Sequence, residues 1–128
     1  MTKKLIPGEK TPSLILETLS NNLWSLDDNI NKTKSLIIFY RGLHCPVCSE
    51  FLKLLDTQLE DYKKSNTEVI VISMDNKEKA IKAKKNWDLK NLNIAYGLSE
   101  EKAREWNLYI SKSIKESESD IFCEPGLF

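Results

Sequence analysis

A chain of 128 residues, 41% hydrophobic and 30% charged, has the size of one domain with one core and the composition of an ordinary soluble globular protein. Nineteen basic and nineteen acidic residues cancel, and Arg41 and Arg104 are the only arginines, so the charge balance gives no footprint for nucleic acid or an anionic membrane surface. The longest strongly apolar run, residues 36–40, is far short of the ~20 residues of a membrane helix, and Pro7-Gly8-Glu9-Lys10 interrupts any signal-peptide core behind Met1-Thr2-Lys3-Lys4.

In chain order, Leu14-Ile15-Leu16 and Leu23-Trp24-Ser25-Leu26 read as short strands, with Ser20-Asn21-Asn22 as the turn between them. Residues 27–34 are polar and loop-like. Residues 36–40, Leu-Ile-Ile-Phe-Tyr, form a continuous apolar run, as expected of a strand buried on both faces. Phe51, Leu52, Leu55, Leu59 and Tyr62 then recur at helical spacing, which predicts one helix over 47–64. Val69-Ile70-Val71-Ile72 predicts a second buried strand within 68–73. Asp75 and Glu78 have the spacing of a capping box, for a helix from Asn76 to about Trp87. The lysines of that helix, within 77–85, read as a solvated face. Residues 92–96 are a weak strand. Ser99 is the expected N-cap of a helix through Trp106. Residues 111–120 are polar and read as a loop, and Gly126-Leu127-Phe128 looks like the start of another strand.

This alternation predicts an α/β fold with a central, mostly parallel or mixed sheet flanked by helices. It forms one domain over residues 1–128, expected to lack its C-terminal strand and helix. The three tryptophans, Trp24, Trp87 and Trp106, are most simply packing residues.

The chemistry concentrates in residues 39–48, Phe-Tyr-Arg-Gly-Leu-His-Cys-Pro-Val-Cys. Cys45 and Cys48 lie between a strand and a helix start, where free N–H groups and the positive end of the helix dipole favour a thiolate. The pair is spaced to close a disulfide within one turn. Pro46 suits the first helical position, where a missing N–H costs nothing. In a chain with no export signal, three cysteines point to redox or metal chemistry sooner than to a disulfide framework, and a reducing, cytoplasmic setting is expected. Cys45, Cys48, Cys123 and His44 formally make a zinc set, but adjacent His44 and Cys45 fit one ion poorly, so no metal or cofactor is expected.

From about Gly8 to Phe128 the chain resembles the peroxiredoxin-like branch of the thioredoxin superfamily, the alkyl hydroperoxide reductase/thiol-specific antioxidant group. The resemblance rests on the strand, the Phe-Tyr-Arg-Gly-x-x-Cys-Pro-x-Cys segment and the amphipathic helix. Lys10-Thr11-Pro12 and the Val-Ile-Val-Ile strand followed by Ser-Met-Asp add to it. It implies a thioredoxin-like fold. Peroxiredoxins carry Tyr-Pro-x-x-x-Thr-x-x-Cys; laid on residues 40–48, the peroxide-attacking cysteine falls on Cys48, the proline on Arg41 and the threonine on Cys45. The family's Arg-Gly-Leu-Phe stretch falls on Pro125-Gly126-Leu127-Phe128, without its arginine. The resemblance also sets Pro125 where thioredoxin-like proteins have a cis-proline, with Cys123 and Glu124 near the active site.

These residues carry alternatives. Peroxiredoxin alignment makes Cys48 the attacker and Cys45 the resolver; thioredoxin order reverses them. His44 either steadies the thiolate or is a loop residue. Arg41 either replaces the missing arginine or is a surface cation. Cys123 is either a core hydrophobe or a third redox thiol. The expected activity is hydroperoxide reduction through a Cys-x-x-Cys dithiol/disulfide cycle, restored by a thioredoxin-type or other dithiol reductant. The alternatives are a thiol–disulfide oxidoreductase acting on protein disulfides, and a non-catalytic redox sensor or binding domain.

Overall fold

Two buried strands in the middle of one sheet place the Cys-x-x-Cys segment. The structure, a computed structural model, describes residues 12–26, 34–43, 45–106, 108, 110–112, 121–123 and 126–127. Strands β1 (Ile15–Glu17) and β2 (Leu23–Ser25) form an antiparallel hairpin that pairs Leu16 with Trp24. Asn21 takes a positive φ of 62° in its turn, a conformation asparagine tolerates.

Strand β3 (Lys34–Phe39) is followed by helices α1 (Pro46–Thr57) and α2 (Leu59–Lys64), then strand β4 (Thr67–Ile72). Helix α3 (Lys77–Asn86), strand β5 (Asn93–Ala95) and helix α4 (Glu100–Glu105) come next. Short strands β6 (Ile110–Lys112), β7 (Ile121–Cys123) and β8 (Gly126–Leu127) complete the described chain. The main sheet has the order β5-β4-β3-β8, with β3, β4 and β5 parallel and β8 antiparallel to β3. This is the mixed, mostly parallel sheet expected from the alternation of elements.

The apolar runs of β3 and β4 are continuous because each face of the sheet carries its own core. Ile37, Phe39, Ile70 and Ile72 pack with Trp24 of the hairpin and with Trp106 behind α4. Ile38, Val69 and Val71 pack on the other face with Leu52 and Leu55 of α1 and Ala80 and Ala83 of α3. Phe39 and Trp106 meet with ring centroids 5.7 Å apart, and Tyr40 and Trp87 at 6.1 Å. All three tryptophans are buried, as packing residues should be. The hairpin hooks onto the β5 edge, where Leu19 N–H donates to the Ile94 carbonyl and Tyr96 N–H to that of Glu17. That contact covers an otherwise open strand edge.

Four sequence expectations are corrected. The single helix over 47–64 is two, because Gln58 leaves helical geometry (φ −104°, ψ 4°) and turns its N–H to the Leu55 carbonyl. Phe51 is not on the buried face of α1: Cys48, Leu52 and Leu55, spaced four and three apart, hold that line, and Phe51 is exposed beside it. The cap of α3 is Asn76, whose side chain accepts the Lys79 N–H at 2.9 Å, and not Asp75. Residues 111 and 112 belong to β6, which pairs with β7; three residues without an apolar pattern gave no sign of it. Ser99 caps α4 as expected, accepting the Lys102 N–H at 3.1 Å. Most of the predicted loops at 27–34 and 111–120 lies outside the described residues. No helix among the described residues is long and apolar enough to cross a membrane.

The buried carboxylate of Asp56 ties the last turn of α1 to the entrance of β5, accepting the N–H groups of Lys90, Asn91 and Leu92 at 3.1, 2.9 and 2.9 Å. Lys90 and Asn91 are exposed, so water can replace part of that cap; Leu92 is buried. Asp56→Ala is therefore expected to lower stability by about 2–3 kcal/mol in urea unfolding, with Asp56→Asn losing less than half of that.

Candidate active site

The segment between β3 and α1 lies at the carboxyl end of the parallel strands, where open α/β sheets present their sites. Tyr40 N–H still donates to the Ile72 carbonyl, which extends the β3–β4 ladder one step beyond Phe39. The chain then leaves the sheet. Gly42 has a φ of +132°, open to glycine and strained for any other residue. Leu43 N–H donates to Asp75 Oδ2 at 2.8 Å, and Cys45 N–H returns to the Gly42 carbonyl at 3.1 Å.

Cys45 is the N-cap of α1, in extended geometry (φ −101°, ψ 106°), and its Sγ accepts the Cys48 N–H at 3.3 Å. Pro46 follows at the first helical position, as expected from its missing N–H. Cys45 and Cys48 are both free thiols and both buried, at 4% and 6% exposure. Exposure therefore does not single out either cysteine.

The Cys48 thiol is pushed up to about 12 from its ordinary 9.0. Burial is the largest cause. A hydrogen bond with Cys45 and a charge there raise it further, while backbone hydrogen bonds from Arg41 and Gly42 pull it down. The lowered Cys48 value expected from the helix start is thus overturned by desolvation: Cys48 belongs to the buried cluster of that face, with Tyr40, Leu52 and Trp87. Arg41 is half-buried, and it acts on Cys48 through its backbone N–H.

His44, Glu124 and Pro125 lie outside the described residues. Cys123 is in β7 opposite Ile110, and its side chain lies outside the description. Strand β8 pairs Gly126 with Phe39 and Leu127 with Ile38, beside the end of β3 that leads into the Cys-x-x-Cys segment. Among the described residues, no group of three His, Cys, Asp or Glu side chains is placed to hold a metal ion.

Two residues of the site went unnoticed in the sequence. Asp75 is buried at 3% exposure, beneath the 42–43 turn. A Cβ at Gly42 would stand 2.8 Å from both its carboxylate oxygens. Their only sequence signals are a glycine inside the motif and a carboxylate at the carboxyl end of an apolar strand.

The family model described as the AhpC/TSA family matches residues 7–128. No curated protein sequence matches the chain. Among solved structures, reduced 2-Cys peroxiredoxin of Plasmodium vivax aligns at TM-score 0.71 with 20% identity, over 80% of this chain and 58% of that one. A mutant of peroxiredoxin 6 of Arenicola marina aligns at TM-score 0.75 with 18% identity, over 97% and 59%. Plasmodium yoelii thioredoxin peroxidase I aligns at TM-score 0.65 with 28% identity, over 77% and 63%. The chain thus spans less than two thirds of the length of these three proteins. The expected thioredoxin-like fold is the one these likenesses show.

Proposed function

This chain belongs to the AhpC/TSA family, and from that premise we propose that it reduces hydroperoxides by thiol chemistry at Cys48, with Cys45 as the resolving thiol. The observation that carries this reading is the setting of Cys48 in the first turn of α1. Its sulfur takes backbone hydrogen bonds from Arg41 and Gly42 and lies in hydrogen-bond contact with Cys45. Backbone donors fixed around a reacting atom stabilise charge without reorganising.

The Cys48 thiolate attacks one oxygen of the O–O bond. That bond breaks, the leaving oxygen takes a proton and departs as alcohol or water, and Cys48 is oxidised to a sulfenic acid. The Cys45 thiol then condenses with it, forming a disulfide and releasing water. Two electrons from a dithiol reductant of the thioredoxin type restore both thiols. A reducing, cytoplasmic compartment supplies such a reductant.

Stopped-flow tryptophan fluorescence of the reduced protein with hydrogen peroxide tests this, because Trp87 packs in the same cluster as both cysteines. Cys48→Ser is expected to abolish the fluorescence change. A full response in Cys48→Ser would end the proposal.

A second reading has its own observation. Cys45 Sγ, not Cys48 Sγ, accepts the N–H at the start of α1, as the attacking thiol of a thiol–disulfide oxidoreductase would. Reduction of a protein disulfide that survives Cys48→Ser as a stable mixed disulfide on Cys45 would favour it.

A further inference from the structure

Around the dithiol, the backbone N–H groups divide their work. Tyr40 donates to β4, Leu43 to Asp75, Cys45 to the Gly42 carbonyl and Cys48 to Cys45 Sγ, whereas Arg41 and Gly42 turn theirs to Cys48. The 41–43 turn belongs to no helix or strand. Its conformation depends on a glycine in the left-handed region and on the Asp75 side chain as an anchor.

That anchor is itself held firmly. Asp75 N–H donates to Ser73 Oγ at 3.3 Å, and its carbonyl accepts the Gly97 N–H at 2.8 Å. Ser73 is fully buried. Asn76 takes over the capping of α3, which leaves the Asp75 carboxylate to the turn.

We propose that Asp75 is a positioning residue for Cys48: its carboxylate oxygen, by accepting the Leu43 N–H, locks the 41–43 turn so that the Arg41 and Gly42 N–H groups face the Cys48 sulfur. Gly42 is the complementary half of the device, because only a residue without a Cβ lets the carboxylate close on the turn. The inference rests on Cys48 being a reacting thiol, as in the proposed function.

The test uses alkylation of Cys48 by iodoacetamide, followed by mass spectrometry of the Cys48 peptide across pH 7–11, in a Cys45→Ser background. Asp75→Ala is expected to slow alkylation at pH 8 about tenfold, the rising limb of the profile moving to higher pH. Asp75→Asn keeps an acceptor oxygen, and is expected to stay within about threefold of the parent.

Gly42→Ala forces the carboxylate away and is expected to behave as Asp75→Ala does. Should Asp75→Ala fail to fold, Gly42→Ala against Asp75→Asn makes the same comparison. A profile in the disrupted variant superimposable on the parent's would overturn the proposal. So would an equal loss in Asp75→Asn, which would assign the effect to charge. Alkylation needs no peroxide chemistry, so a chain inert to peroxide would refute the proposed function and leave this test standing.

Discussion

The rate at which Cys48 attacks hydrogen peroxide is expected to climb about tenfold per pH unit between pH 7 and 10, roughly a thousandfold in all. The sign follows from the reactive species. Only the thiolate attacks, and the Cys48 thiol is pushed up to about 12, above its ordinary 9.0. At pH 7 the thiolate is therefore scarcer than in a free cysteine, and its share keeps growing through the range where a free thiol has levelled off. The measurement is the second-order rate constant from single-turnover fluorescence, with circular dichroism confirming that the fold survives at each pH. A plateau below pH 8 would show that the thiol is acidic and that the burial argument is wrong. The expected profile also sets this chain apart from its family's pattern, in which a threonine stands at the position of Cys45. Here a second ionisable sulfur takes that place, and it works against the first.

The parts of this site that were legible in the sequence are those that depend on local chemistry. Pro46 and the following apolar spacing fixed the start of α1, because a proline at the first helical position is a local preference. The strands β3 and β4 were legible because a run buried on both faces has no polar interruption. The site needed the fold where two local choices were equally good. Asp75 and Asn76 are both strong caps, and a contact with Leu43, 32 residues away, decided between them. The acidity of Cys48 was misread for a related reason. The dipole at a helix start is readable from sequence, whereas desolvation is set by which side chains close over the sulfur. Phe51 shows the same limit on a smaller scale: one step around the helix separates it from the buried line of Cys48, Leu52 and Leu55.

Cys45→Ser is expected to have two opposite effects, and together they assign the roles of the two cysteines. Multiple turnover with a dithiol reductant should be lost, because no sulfur remains one turn away to condense with the sulfenic acid. The first oxidation should nevertheless speed up. Replacing Cys45 removes the sulfur-to-sulfur hydrogen bond, the second-largest cause that raises the Cys48 thiol. Burial still raises it, and the Arg41 and Gly42 hydrogen bonds still lower it, so the net movement is downward. A serine hydroxyl can also donate to the thiolate, and Cys45→Thr, which restores the family's residue, should act the same way. Stopped-flow kinetics would measure the acceleration, and trapping with dimedone would measure the sulfenic acid that accumulates on Cys48. If Cys45→Ser instead abolished the first reaction with peroxide, Cys45 would be the attacking thiol. The hydrogen bond from Cys48 N–H to its sulfur would then be the activating contact, and exchange with disulfides would become the better reading of the same two residues.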